Sequence, residues 1–273
     1  MNRKRAWLTW LGIVPVLAVA FGSAFADQPL TALAPIETIL DARNELVGVA
    51  VLPDGTRSVS DRGSGIVYRV SASGTVSTAA SGLSRPAGLA LDASGRLLIA
   101  EEQAGRVLRL ESNGSLTVLA TGLKTPRWIV ANPDGSLYIT AHRLTEADGS
   151  DTSEGRDIIR MSLGGTLSVV ATGIRQLQGV ARVNGALIAA TKGLQGGADS
   201  AGTLLRFGVN ADGTLAAPTP WISTGLKQPV GLALDALAAM YASSKEVTTD
   251  SDTSKRAIAK VHPDLHRPTS PRI

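Results

Sequence analysis

The chain repeats itself, and the repeat limits what it can fold into. Five openings align on glycine: GVAVLPDG at residues 48–55, GLALDASG at 88–95, WIVANPDG at 128–135, GVARVNG at 179–185 and GLALDALA at 231–238. Successive openings are offset by 40, 40, 51 and 52 residues. A period of roughly 40 to 45 residues, built from short apolar runs and Gly/Asp turns, is the pattern of propeller blades. Each blade is a four-stranded sheet that cannot bury both faces alone, so successive blades must stack.

Within a unit the strands follow from residue type. Each opening begins a short alternating run of small residues, suited to the crowded innermost strand. A turn such as Pro53-Asp54-Gly55 or Ala93-Ser94-Gly95 follows, where Asp and Gly tolerate the dihedrals of a tight hairpin. Second strands read RLLIA (96–100), SLYIT (136–140) and ALIAA (186–190). Third strands read IVYRV (66–70), RVLRL (106–110), DIIRM (157–161), TLLRF (203–207) and AIAKV (257–261). Fourth strands read VSTAA (76–80), LTVLA (116–120) and LSVVA (167–171). A basic residue recurs in the third strand as Arg69, Arg109, Arg160, Arg206 and Lys260. Strand alternation places it outward with its aliphatic stem on the sheet, and a ring of anion contacts is the competing reading.

The ends of the repeat carry the closure argument. IETIL at 36–40 lies 40 residues ahead of the fourth strand at 76–80, and the last unit stops shortly after its third strand. The expectation is an all-β propeller of four-stranded blades. Its five repeat units would be closed by the N-terminal strand 36–40 completing the last blade, beside 257–261. The fifth unit has Ala238 where a turn Gly is expected, Leu265 where others carry Gly after the third strand, and a Pro-rich tail. A shortened six-bladed ring, open or strained, is the alternative.

Composition sets the compartment. Arg3, Lys4 and Arg5 precede an apolar stretch at 6–22, and Ser23-Ala24-Phe25-Ala26 supplies small residues for a cut after Ala26. An uncleaved anchor is the competing reading, but the run is short and holds Pro15. The expected organisation is a signal peptide at 1–26, a linker at 27–35, the propeller at 36–264 and a tail at 265–273. The protein would be exported, periplasmic or secreted, with no membrane span in the mature chain. Removing those three of the 27 basic residues leaves 24 against 23 acidic ones, a net charge of +1. Such a balance gives no basis for nucleic-acid binding. With no cysteine, thiol nucleophiles, CxxC redox chemistry and thiolate metal sites are excluded.

The blade formula is clearest in RPAGLALDASGRLLIAEEQAGRVLRL at 85–110, and it resembles NHL-type and gluconolactonase-like (regucalcin-like) propellers over most of 36–261. That broad group includes lactone hydrolases, lyases, quinone-dependent sugar dehydrogenase-like proteins and plain binding scaffolds. The resemblance also implies a divalent metal such as calcium at the axis, held by a Glu near the first blade and Asn residues beside the inner-strand glycines. The matching positions here are Val47, Ala87, Arg127, Gln178 and Val230, none of them a good hard-metal ligand. Asn44 and Glu45 lie just ahead of the first opening.

If an innermost strand starts on one face, the second strand ends there. Inter-blade links and second-to-third turns therefore share a face, where propeller function concentrates. The longest insertions, 144–156, 193–202 and 247–256, fall on it. Second-strand ends give two rings: Asp61, Glu101, Ala141, Thr191 and Ser244, then Arg62, Glu102, His142, Lys192 and Lys245. Alternation forbids both from pointing the same way. With Arg85, Arg127, Arg175 and Lys227 in the links, these charges suit a small polar or anionic ligand; solvated loop ends are the competing reading. His142, beside Arg143, is the candidate general base, with Glu101 as its catalytic companion. Glu146, Asp148, Asp151, Glu154 and Asp157 are candidate calcium ligands, although their spacing lacks the twelve-residue calcium-loop pattern and favours a solvated loop. The expected function is an exported propeller binding a small polar or anionic ligand, or a protein partner, on its loop-rich face. The alternative is a lactonase-like hydrolase or quinone-dependent sugar dehydrogenase-like enzyme at the channel mouth.

Overall fold

The computed structural model describes residues 40, 43–142, 155–194, 202–222, 226–234, 240–248 and 253–261, which form strands and turns with no helix among them. The first sheet runs β1 (Leu46–Val51), β2 (Arg57–Asp61), β3 (Ile66–Val70), β4 (Val76–Ala80). The second runs β5 (Pro86–Leu91), β6 (Leu97–Glu101), β7 (Arg106–Leu110), β8 (Leu116–Ala120). The third holds β9 (Lys124–Ala131), β10 (Leu137–His142), β11 (Gly155–Met161) and β12 (Leu167–Arg175). In the fourth, β13 (Gly179–Val183) and β14 (Ala186–Thr191) are followed by β15 (Gly193–Leu194), which crosses back to pair with β12. The fourth sheet then continues with β16 (Thr203–Gly208) and β17 (Thr219–Ile222). The fifth has three described strands, β18 (Leu226–Leu234), β19 (Met240–Thr248) and β20 (Thr253–Val261). Successive strands pair antiparallel, and the sheets are the blades of a β-propeller.

The second strands show why their sequences are continuously apolar. Leu97 and Ile99 of β6 pack toward the first blade with Ala50, Val67 and Leu83, whereas Leu98 and Ala100 pack toward the third with Leu137, Ile139 and Ile159. A strand buried on both faces has no place for alternating polar residues. The same pattern joins the third blade to the fourth through Tyr138, Ile158, Leu187 and Phe207, and the fourth to the fifth through Ile188, Leu204, Met240 and Ala242.

Close approach of the innermost strands accounts for the opening glycines. A Cβ on Gly48 would lie 2.2 Å from the Ala87 carbonyl oxygen, and one on Gly88 only 2.1 Å from that of Arg127. Trp128 takes the glycine's place in the third blade but keeps its backbone bond. Its amide donates to Thr140 Oγ1 at 3.1 Å, as Gly48 donates to Ser60 Oγ at 2.8 Å and Gly231 to Ser243 Oγ at 2.9 Å.

Among the described residues the blade-to-blade packing does not continue from the fifth blade to the first. Innermost strands touch in the order β1, β5, β9, β13, β18, and among the described residues no comparable contact joins β18 to β1. Val49 and Val51 of β1 are 59% and 61% exposed, while Leu89, at the position of Val49 in the second blade, is buried against the first. The strand expected at 36–40 lies outside the described residues except for Leu40, as do the signal segment and the C-terminal tail.

Candidate site at the loop-rich face

The two rings at the second-strand ends do different work. Asp61 and Glu101 are buried and bound to the inter-blade links. Asp61 accepts from the amides of Glu45 (3.0 Å), Gly63 (3.2 Å), Asn44 (3.3 Å) and Ser64 (3.3 Å). Burial opposes its charge, but bonds from Ser64, Glu45 and Asn44 outweigh that and hold the carboxyl below its usual range. Glu101 accepts from the Ser84 amide at 2.7 Å and from Arg106 Nε. Thr191 Oγ1 donates to the Arg175 carbonyl, and Ser244 Oγ to that of Lys227 at 2.7 Å. Four residues of this ring fasten their links to the blades, and Ala141 in the third blade has no group to do so.

The links into the second to fifth blades share a backbone feature. Arg85 (φ 56°), Thr125 (46°), Gln176 (47°) and Gln228 (50°) each lie three residues before an opening, all in the left-handed region. That conformation is unfavourable for residues other than glycine and persists only where surrounding bonds enforce it.

One residue further along, parity reverses. The amides of Arg62, Glu102 and Lys192 donate to the link carbonyls of Glu45 (2.8 Å), Arg85 (3.0 Å) and Arg175 (2.9 Å). Their side chains form the second ring. Arg62 Nε lies 2.6 Å from Glu102 Oε2, and its Nη1 lies 2.5 Å from Glu45 Oε1. Arg127 Nε stands 3.7 Å from Glu102 Oε1 and is buried without a hydrogen-bond acceptor. Glu102 itself is only 5% exposed. Arg156 of β11 pairs in backbone register with His142, and its Nη1 donates to the Thr125 carbonyl at 3.0 Å. Burial, reinforced by Arg127 and Arg62 and opposed by Glu102, pulls the Arg156 guanidinium down to about 10. Arginines thus crowd around one buried carboxylate.

The other sequence candidates fall around this cluster or outside it. His142 and Lys192 are half-buried, Arg85 and Lys245 exposed. Arg143, Asp148, Asp151 and Glu154 lie outside the described residues. Among the described residues no three His, Cys, Asp or Glu side chains gather as metal ligands. The positions that the resemblance assigns to metal binding do not fit a divalent cation either: Arg127 brings a half-buried positive charge and Ala87 is fully buried with no side-chain oxygen. In the third strand, Arg69 and Arg206 are exposed and Arg109 Nε lies 2.7 Å from Glu111, an outward arrangement. Arg156 was not singled out from the sequence, because it ends an insertion that varies in length and sequence from blade to blade. The signal available was its place just before the DIIRM strand.

A separate concavity of 230 Å³ lies between first-to-second and third-to-fourth turns on the opposite face, lined in part by Asn132, Tyr138, Arg182 and Gly213. Its polar groups are matched: Arg182 Nη1 donates to Asn132 Oδ1 at 2.6 Å, and Tyr138 donates to the Gly213 carbonyl at 2.8 Å.

No family model matches the sequence, and no curated protein matches it. Solved structures do. A structural-genomics target assigned to the gluconolactonases aligns with a TM-score of 0.66 at 19% identity, covering 84% of this chain and 78% of that one. A gluconolactonase of Xanthomonas campestris gives 0.63 at 20% identity, over 77% and 73% of the two chains. The virginiamycin B lyase of Staphylococcus aureus gives 0.56 at 14%, over 80% and 69%. The structural neighbours are therefore gluconolactonase-type propellers, and at these identities the likeness establishes the fold.

Proposed function

We propose that the protein is a propeller enzyme of the hydrolase or lyase kind, acting on a small molecule at the channel mouth. The observation that carries this reading is Glu102, a buried carboxylate 2.6 Å from Arg62 and 3.7 Å from Arg127. A buried carboxylate beside guanidiniums brings a candidate general base together with groups that offset developing negative charge. Support also comes from the neighbours, among which gluconolactonases and a lyase are named. They favour this reading over a plain binding scaffold.

For a lactone or ester the chemistry is simple. Glu102 takes a proton from water as the water oxygen adds to the carbonyl carbon. The carbonyl oxygen gains charge beside the guanidiniums that flank Glu102, which offset it. Collapse breaks the carbon–oxygen bond, and the proton returns from Glu102 to the leaving alkoxide. His142, half-buried at the end of β10, is the second candidate for proton transfer.

The test is a panel of lactones and esters, with Glu102→Gln as the informative variant. Turnover by the wild-type protein should fall about 100-fold in the variant, with the far-ultraviolet spectrum unchanged. Wild-type protein inactive on the whole panel, or a fully active Glu102→Gln, contradicts the proposal.

A further inference from the structure

We propose that Arg127 and Arg156 form an oxyanion subsite at the channel mouth, binding a carboxylate or phosphate group of the substrate where the resembling propellers place a divalent cation. The inference rests on the mouth being the reacting site and specifies what that site recognises.

The charges are unequally shared. Both carboxylates of the patch, Glu45 and Glu102, lie within 2.6 Å of a single guanidinium, that of Arg62. Arg127 approaches Glu102 no closer than 3.7 Å, beyond hydrogen-bond distance, and its buried Nε has no acceptor. A buried donor without a partner is costly, and in a functional site the usual remedy is a ligand. Arg156 uses Nη1 on the Thr125 carbonyl, and Thr125 Oγ1 is a further buried group without a partner. Thus one inter-blade link carries two buried polar atoms without partners, Thr125 Oγ1 and Arg127 Nε, and Arg156 is bonded to that same link.

The electrostatics point the same way. Arg156 is half-buried beside Arg127 and Arg62, and burial first, then those like charges, against the pull of Glu102, bring its guanidinium down to about 10. Such a group gains more from an incoming anion than an exposed arginine does, because the anion also relieves repulsion. A divalent cation entering here would meet Arg127 at an axial position and face additional repulsion. Planar guanidiniums match the oxygens of carboxylate and phosphate, so the subsite takes oxyanions rather than neutral sugars.

The experiment is calorimetric titration and thermal melting of the purified protein. The probes are gluconate, inorganic phosphate and calcium chloride, at constant ionic strength, with chelator present in the anion arms. Gluconate or phosphate should raise the melting midpoint with chelator present; a gluconate response assigns a carboxylate, a phosphate response a phosphate ester. Affinity should fall about tenfold or more in Arg127→Gln and in Arg156→Gln. Arg127→Lys should retain part of it, and Arg206→Gln, altered at an exposed third-strand arginine, should bind as wild type. If Arg156→Gln does not fold, the two Arg127 variants decide the matter. Unchanged anion affinity in those variants, or a midpoint raised only by calcium, overturns the subsite. Lactone turnover measured in parallel separates the two readings. Turnover without anion binding removes the subsite alone, and anion binding without turnover removes the enzyme reading alone.

Discussion

Asp61 and Arg62 are neighbours in sequence with opposite duties, as are Glu101 and Glu102, because alternation sends successive side chains to opposite sides of a strand end. The first of each pair holds an inter-blade link and the second faces the mouth cluster. Replacing Glu101 with Ala leaves the Ser84 amide and Arg106 without their acceptor. We expect a loss of about 2–4 kcal/mol in urea denaturation. Asp61 makes a pH-dependent contribution of definite sign. Its folded carboxyl titrates below the unfolded one, so its stabilisation is fully present above about pH 4 and is lost as pH falls through the folded value. Asp61→Asn should flatten that acid limb in denaturation measured against pH. The left-handed links offer the reverse change: Gln176 is exposed at φ 47°, so Gln176→Gly should stabilise by up to about 1 kcal/mol, the relieved strain being partly offset by chain entropy.

At the scale of elements, the strands were legible wherever chemistry repeated. RLLIA and ALIAA announce strands buried on both faces, and β6 and β14 are buried throughout. The glycines at 48 and 88 announce close approach. Gly88→Val should cost more than about 3 kcal/mol by thermal denaturation, since its Cβ would lie 2.1 Å from the Arg127 carbonyl oxygen and force the second and third blades apart. The links were not legible. Arg85, Thr125, Gln176 and Gln228 share a backbone conformation but no residue class, so the strain that aims the mouth residues leaves no mark in the sequence. The same holds for β15, whose two residues pair with β12 of the preceding blade. Glu101 illustrates the limit for the site itself. Its type and position suit catalysis, and only the Ser84 and Arg106 bonds show how that carboxylate is used.

At the scale of the whole molecule, a five-unit repeat became five sheets stacked from β1 to β18, with Val49 and Val51 on the exposed side of the first blade. Two lysine substitutions report on that side. Val51→Lys, at a 61% exposed position, should change stability by less than about 0.5 kcal/mol, whereas Ile99→Lys, fully buried between blades, should prevent folding or cost more than about 4 kcal/mol. The arrangement of blades converges link arginines and turn carboxylates on one mouth, and Arg127 carries its charge at an axial position that the resemblance associates with metal binding. A crystal structure of the protein with gluconate bound tests this most directly. The account predicts carboxylate oxygens within hydrogen-bond distance of Arg127 and Arg156, with no metal between them. A divalent cation coordinated at the axis, or gluconate bound elsewhere with both guanidiniums unengaged, would contradict it.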